Sequence, residues 1–250
     1  MAQAPTLTLL ASPVPDGALP GVEVGAPAVV LVHGLASSCD ADFVQTGIAE
    51  ALLSRGRDVI LVDLPGHGSA AGGGDGEITV AGLLADIAGG AAQLAGGPVD
   101  VIGYSLGGRL AWDLQAAGLP VRRLVVGGVA PQEPFGAIDP AALAGVVLRG
   151  EQPGDPLTGM IGGMLAQAPG DRATLVELVA ALGASPFSAA PADAPTVPTL
   201  LMAGDADPVA GDPAWAAEVL PDGSVLRVPG DHVAALRSPE FLAAALAHLG

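Results

Sequence analysis

The stretch Val99-Asp100-Val101-Ile102-Gly103-Tyr104-Ser105-Leu106-Gly107-Gly108-Arg109 decides how this chain is read. Its first half is almost continuously apolar, as expected of a parallel strand covered on both faces. Its second half opens the helix GRLAWDLQAA, so a serine stands where a strand turns into a helix. Glycine is common here, 37 of 250 residues, so Gly-x-Ser-x-Gly alone is a weak signal. The placement makes it specific. Flanking glycines allow a tight, strained turn that leaves the hydroxyl exposed. The helix start then aims free N–H groups and a positive dipole end at any anion forming there.

The same rhythm continues on either side. Pro27–His33, Asp58–Asp63, Val121–Val129, Val197–Ala203 and Ser224–Val228 read as further strands. Asp40–Arg55, Thr79–Leu94, Ser105–Ala117, Pro213–Leu220 and Pro239–Leu249 read as helices between them. Such alternation builds right-handed βαβ units, so the expected class is α/β with a doubly wound, mostly parallel sheet. Thr6–Leu10 and Gly21–Val24 are expected as leading antiparallel strands. From Pro131 to Pro195 the strands stop and helical patterns dominate, with helix starts at Asp139-Pro140 and Gly170-Asp171. The expected organisation is a core of residues 1–130 and 196–250, with a small helical cap, 131–195, inserted after the sixth strand.

Half of the 250 residues are hydrophobic, enough for one domain with a sizeable core. All nine basic residues are arginine, which excludes a lysine nucleophile, a Schiff base or a P-loop lysine. The formal net charge of -17 repels phosphate backbones and anionic lipid, so neither nucleic acid nor a membrane is expected as a partner. The single cysteine, Cys39, excludes an intramolecular disulfide and a cysteine-built zinc site. The opening MAQAPTLTLL lacks the basic region and long apolar run of a signal peptide, and a cytoplasmic location is the expectation.

A serine is a weak nucleophile and needs a base, itself oriented by an acid. Of four histidines, His33 ends a strand, His67 sits in the turn Pro65–Gly68 with a structural role expected, and His248 lies near the end of the last helix. His232, in Pro229-Gly230-Asp231-His232, follows the last strand at its C-terminal edge, where open parallel sheets build their sites. It is the best base. For the acid, Ala203-Gly204-Asp205-Ala206-Asp207-Pro208 closes a strand at the same edge, and both aspartates qualify by type. Asp207 is preferred because it lies further into the loop, before a proline; Asp205 suits a turn-holding hydrogen bond.

His33-Gly34, Asp63–Ser69, Gly103–Gly107, Gly204–Pro208 and Gly230–His232, taken in order, resemble the α/β-hydrolase superfamily over nearly the whole chain. The resemblance implies Ser105 as nucleophile, Asp207 as acid and His232 as base. It also implies an oxyanion hole from the backbone N–H groups of Leu35 and Leu106, and a lid at 131–195. Such chemistry needs no metal or organic cofactor and only a small-molecule substrate. Serine at 105 argues against dehalogenases and epoxide hydrolases, which use a carboxylate there.

Gly103–Arg109 and Asp63–Ser69 are also similar to the SHCHC synthase family of menaquinone biosynthesis, which uses the same triad for elimination. In that reading Arg109 binds an acidic substrate. A polyanion calls for several arginines, yet the cap region holds only Arg149 and Arg172. Met160, Met164, Leu165 and Phe187 instead suit an apolar lid over a small uncharged ester, thioester or lactone. His33, Tyr104, Arg109, Met160, Met164 and Phe187 are the expected substrate-binding residues. A third reading is a binding module on the same fold; such chains usually lose a triad residue, and none is missing here.

Overall fold

The computed structural model describes residues 8–12, 26–72 and 76–250. Seven strands are present there: β1 (Thr8–Ser12), β2 (Val29–Val32), β3 (Val59–Asp63), β4 (Val99–Tyr104), β5 (Val121–Gly127), β6 (Thr199–Gly204) and β7 (Gly223–Val228). They form one sheet in the order β1-β3-β2-β4-β5-β6-β7. β1 pairs antiparallel with β3, Thr8 opposite Asp63, and every other pair is parallel. The helices are α1 (Ile48–Leu53), α2 (Val80–Ala95), α3 (Leu106–Asp113), α4 (Pro140–Arg149), α5 (Pro156–Gln167), α6 (Arg172–Ala184), α7 (Ala216–Val219) and α8 (Pro239–Leu249).

The two-residue period of each strand sorts side chains onto both faces of the sheet. On β2, Val30 and Val32 join Leu83, Ile87, Leu110 and Trp112 of α2 and α3. Val29 and Leu31 point the other way, to Ile48 and Leu52 of α1 and Phe241 and Ala245 of α8. The continuous apolar run therefore reports a strand covered on both sides.

Several expected elements differ in extent. The leading strand at Thr6–Leu10 is displaced to Thr8–Ser12, while Gly21–Val24 lies outside the described residues. The expected helix Asp40–Arg55 is divided: Asp40–Val44 forms a short π-helical turn, Gly47 takes a φ of 79°, and α1 starts after it. Only glycine adopts that left-handed conformation without strain. Pro213–Leu220 likewise splits into a 3-10 turn, Pro213–Trp215, and α7.

Helices α4 to α6 fill the interval between β5 and β6. That is the fifth strand of the described residues; the expected sixth place counts Gly21–Val24. Each helix begins on an aspartate: Asp139 accepts the Ala141 N–H at 2.9 Å, Asp155 that of Thr158 at 2.9 Å, and Asp171 that of Thr174 at 2.8 Å. Asp155-Pro156 carries the same signal as Asp139-Pro140, and sequence reading passes over it. Leu175, Val176 and Val179 of α6 pack with Leu143 of α4 and Leu165 of α5. Leu178 and Leu182, on its other face, belong to the core beside the sheet.

At the N-terminal edge of the sheet, Asp100 is fully buried and accepts hydrogen bonds from Arg57 and Arg122. Arg57 also donates to the Pro27 carbonyl at 2.6 Å, and Arg122 to that of Leu249 at 2.7 Å. Removing one partner of such a buried group strands the others without their counter-charge. Asp100→Asn is expected to lower the unfolding free energy by about 3–5 kcal/mol. Urea denaturation checks this, and a loss below about 1 kcal/mol would mean the guanidinium groups find water instead.

Candidate active site

Ser105 joins β4 to α3 with φ 53° and ψ -119°, a sparsely populated backbone conformation that costs on the order of 1–3 kcal/mol. Its N–H donates to the Gly127 carbonyl at 2.8 Å, and its carbonyl accepts the Arg109 N–H at 3.0 Å. The flanking glycines are needed for close approach. A side chain at Gly103 would strike the Gly107 carbonyl, and one at Gly107 would strike the carbonyl of Val32.

His232 Nε2 lies 3.0 Å from Ser105 Oγ, and its Nδ1 lies 2.8 Å from Asp207 Oδ2. A carboxylate facing Nδ1 keeps the proton there, leaving Nε2 to accept from the serine hydroxyl. Burial alone would push the Asp207 carboxyl up. The hydrogen bond from His232 and the N–H groups of Ala210 and Val209 outweigh it and hold the group below the usual carboxylate range. Asp205 faces elsewhere: it accepts the Gly230 N–H at 2.9 Å and ties the β6 loop to the loop bearing His232.

The backbone N–H groups of Leu35 and Leu106 have no hydrogen-bond acceptor among the described residues. Leu106 is the first residue of α3, so its N–H is one that the helix itself cannot satisfy. Leu35 follows Gly34, where a Cβ would lie 3.3 Å from that of Ser105. The Leu35 loop is braced by side chains that sequence reading did not single out. Asp42 Oδ2 accepts the Gly34 N–H at 2.9 Å, and Oδ1 accepts the Ser37 hydroxyl at 2.5 Å. Asp63 accepts the Cys39 N–H at 2.9 Å and both the N–H and hydroxyl of Ser69 at 2.8 Å. The signal available was aspartate spacing around a glycine loop, which does not reveal partners.

Several expected substrate-binding residues are engaged by partners within the protein. His33 is fully buried, with Nδ1 donating to the Gly34 carbonyl at 2.7 Å and Nε2 accepting the Leu64 N–H at 3.0 Å. Both ring nitrogens are occupied, and burial lowers its pKa. Tyr104 is buried and donates its hydroxyl to the His232 carbonyl at 2.6 Å, so it steadies the backbone that carries His232. Arg109 is buried against Asp113 at 3.1 Å, Glu133 at 3.5 Å and the Ser185 carbonyl at 2.9 Å, with its guanidinium over Phe187. Phe187 is in turn edge-on to Trp112 inside the core. Met160 and Met164 are exposed on α5, outside the packed clusters. A cavity of about 800 Å³ opens between the start of α2 and α6, and neither Ser105 nor His232 lines it.

Among the described residues, no cluster of histidine, cysteine, aspartate or glutamate is arranged to hold a metal ion. No described helix is long and apolar enough to cross a membrane.

Residues 29–245 match the model of the alpha/beta hydrolase family. The chain belongs to that family. No curated protein matches the sequence. Solved structures of similar fold include a hydrolase from Pseudomonas aeruginosa PA01, 21% identical with a TM-score of 0.69, covering 100% of this chain and 97% of its own. An enol-lactonase from Burkholderia xenovorans is 19% identical, TM-score 0.69, with 99% and 98% covered. MenH from S. aureus is 18% identical, TM-score 0.67, with 96% and 97% covered.

Two outcomes follow from the geometry. Asp207→Asn is expected to slow phosphonylation of Ser105 by on the order of 10⁴-fold, because the wrong tautomer of His232 then faces the serine. Asp205→Asn should react within a few-fold of wild type, measured by intact mass after exposure to a fluorophosphonate. Equal losses in both variants would contradict the assignment.

The second outcome concerns His67, whose pKa is lowered from the ordinary 6.5 to about 4, chiefly by burial and then by His33. Above 6.5 the folded and unfolded states are both neutral at this site. Between 6.5 and 4 only the unfolded state takes the proton, so stability falls as the solution is acidified. His67 alone should account for about 3 kcal/mol by pH 4. Urea titrations at a series of pH values test this, and His67→Gln should flatten the slope.

Proposed function

We propose that this chain is a serine hydrolase that cleaves a small, uncharged carboxylic ester, thioester or lactone through an acyl-enzyme on Ser105. The observation that carries this is the continuous line from Ser105 Oγ through His232 to Asp207, at 3.0 and 2.8 Å. Ser105 Oγ adds to the carbonyl carbon while its proton passes to His232 Nε2. Asp207 keeps the Nδ1 proton in place and stabilises the imidazolium. The developing oxyanion is met by the N–H groups of Leu35 and Leu106; removing one such donor typically costs about 10²–10³ in rate. Collapse of the adduct breaks the bond to the leaving oxygen or sulfur, which takes the proton back from His232. Water, deprotonated by the same imidazole, then frees the acid and restores the serine.

Preference for an uncharged substrate rests on the surroundings. Exposed Asp205 and Asp231 flank the base and acid, in a chain of net charge -17, and such a field disfavours anions. The enol-lactonase neighbour is in keeping with acyl chemistry on this architecture. The SHCHC synthase-like lyase reading draws on the Arg109 motif and on the MenH neighbour. It is less well supported: Arg109 is neutralised by Asp113 and Glu133, and Arg149 by Glu151 at 2.6 Å. Residues 131–195 serve as the cap that shapes the acyl or alcohol side of the site.

Hydrolysis of a short-chain p-nitrophenyl ester at mildly alkaline pH is the direct test. Wild type should turn over and Ser105→Ala should fall to background. Added salt and Arg109→Ala should leave the KM of the neutral ester within about twofold, because no net charge attracts it. Absence of wild-type turnover together with phosphonate labelling would favour the lyase instead, and absence of both a non-catalytic module.

A further inference from the structure

Gly34 to Ser37 form a tight turn, closed by the Ser37 N–H to the Gly34 carbonyl at 3.3 Å. Its third residue is Ala36, with φ 60°, a place where glycine or asparagine is the usual choice. Turns of this kind have a close competitor in which the central peptide unit, here Leu35–Ala36, is flipped and the third residue returns to negative φ. For alanine the flipped form is the intrinsically easier one. Something outside the turn must therefore hold the observed form.

The group that does so is His67. Its Nε2 accepts the N–H of Ala36, the central amide of the turn, at 2.9 Å, while its Nδ1 donates to the Pro65 carbonyl at 3.0 Å. That donation fixes the tautomer that leaves Nε2 free to accept. The imidazole is fully buried and stacks obliquely on His33 at 4.9 Å. His33 donates to the Gly34 carbonyl, which belongs to the same peptide unit as the Leu35 N–H. In a planar trans peptide the carbonyl fixes the direction of the N–H opposite to it. The two rings thus pin the two peptide units on either side of the Leu35 Cα.

Resting on the acyl-transfer reading above, we propose that His67 is a positioning residue of the oxyanion hole. By accepting the Ala36 N–H it prevents the central peptide from flipping and fixes the backbone on the C-terminal side of the Leu35 Cα; with His33 fixing the Gly34–Leu35 unit on the other side, the Leu35 N–H stays directed at the carbonyl that Ser105 attacks. It touches neither substrate nor the triad. Its effect should show in the rate of forming a tetrahedral adduct and not in ground-state binding.

The test compares wild type, His67→Phe and His67→Gln for phosphonylation of Ser105 and for ester hydrolysis, with melting temperature as the control. Phenylalanine keeps the ring and removes the acceptor. Glutamine places a carbonyl oxygen near the position of Nε2. His67→Phe is expected to slow phosphonylation and kcat together by about 10- to 100-fold, towards the loss of one oxyanion donor, with KM within about twofold. His67→Gln should recover most of that loss. A folded His67→Phe reacting at the wild-type rate overturns the proposal alone. A wild type that no phosphonate labels overturns the hydrolase reading and this proposal with it. If His67→Phe does not fold, NMR of isotope-labelled wild-type imidazoles decides. A scalar coupling between His67 Nε2 and the Ala36 amide supports the proposal, and a proton on Nε2 overturns it.

Discussion

The distance between α3 and the strands beneath it governs the rest of the candidate site. Gly107 lies so close to the Val32 carbonyl that a methyl group would collide with it, and Gly103 is similarly close to the Gly107 carbonyl. That contact lets the chain reverse within one residue, placing Ser105 at the sheet's C-terminal edge with its backbone strained. It also leaves the Leu106 N–H free at the helix start. With a wider separation, Ser105 would no longer meet the imidazole that arrives from the far end of the chain. The strain is sustained by the packing of the helix that follows, since Leu106, Leu110 and Trp112 are all core residues.

The two edges of the sheet handle charge in opposite ways. At the N-terminal edge Asp100 is buried with two arginines, so its charge is neutralised and the backbone ends of β4 and α8 are tied together. At the C-terminal edge the buried groups around the Leu35 loop include two histidines whose pKa values are lowered. Neutral imidazoles can each donate once and accept once, which suits bracing backbone amides and carbonyls at the same time. An arginine would offer only donors. The acidic side chains nearby, Asp42 and Asp63, hold N–H and hydroxyl groups of the same loops.

The sheet, Ser105, Asp207 and His232 were legible because each rests on a local pattern: an apolar run, a glycine turn, or a loop at a strand's C-terminal edge. Asp205 and Asp207 were separable for the same reason, one holding the turn and the other projecting past it. What the expected substrate-binding residues contact was not legible, because their partners are distant in sequence. Arg109 gains its meaning from Glu133 and Ser185, 24 and 76 residues away along the chain, and nothing local announces either. Met160 and Met164 were expected on an apolar lid by residue type alone, and which face of α5 meets α4 and α6 is decided by packing. His67 was read as a turn residue, and the amide it accepts lies 31 residues earlier.

The same cluster around Arg109 bears on how the insertion between β5 and β6 is attached. The insertion leaves and rejoins the core at 131–133 and 185–189, and these two stalks are joined. Gln132 pairs with Ser188, the Ala189 N–H reaches the Pro131 carbonyl at 2.8 Å, and Glu133 accepts the Phe187 N–H at 2.9 Å. Arg109 plugs the junction from below, and α6 is committed to the core through Leu178 and Leu182. Burial raises the pKa of Glu133 against the pull of Phe187 and Arg109, the cost of placing a carboxylate at this seam. Lifting the whole insertion off the core would break all of these contacts together. Helices α4 and α5 are held through the cluster they share with α6, against which Leu35 and Ala36 also pack. Helix α6 also touches the turn that bears His67, through the Asp171 N–H to the Gly66 carbonyl at 3.1 Å, so the helix committed to the core is also the one that meets the support of the Leu35 loop.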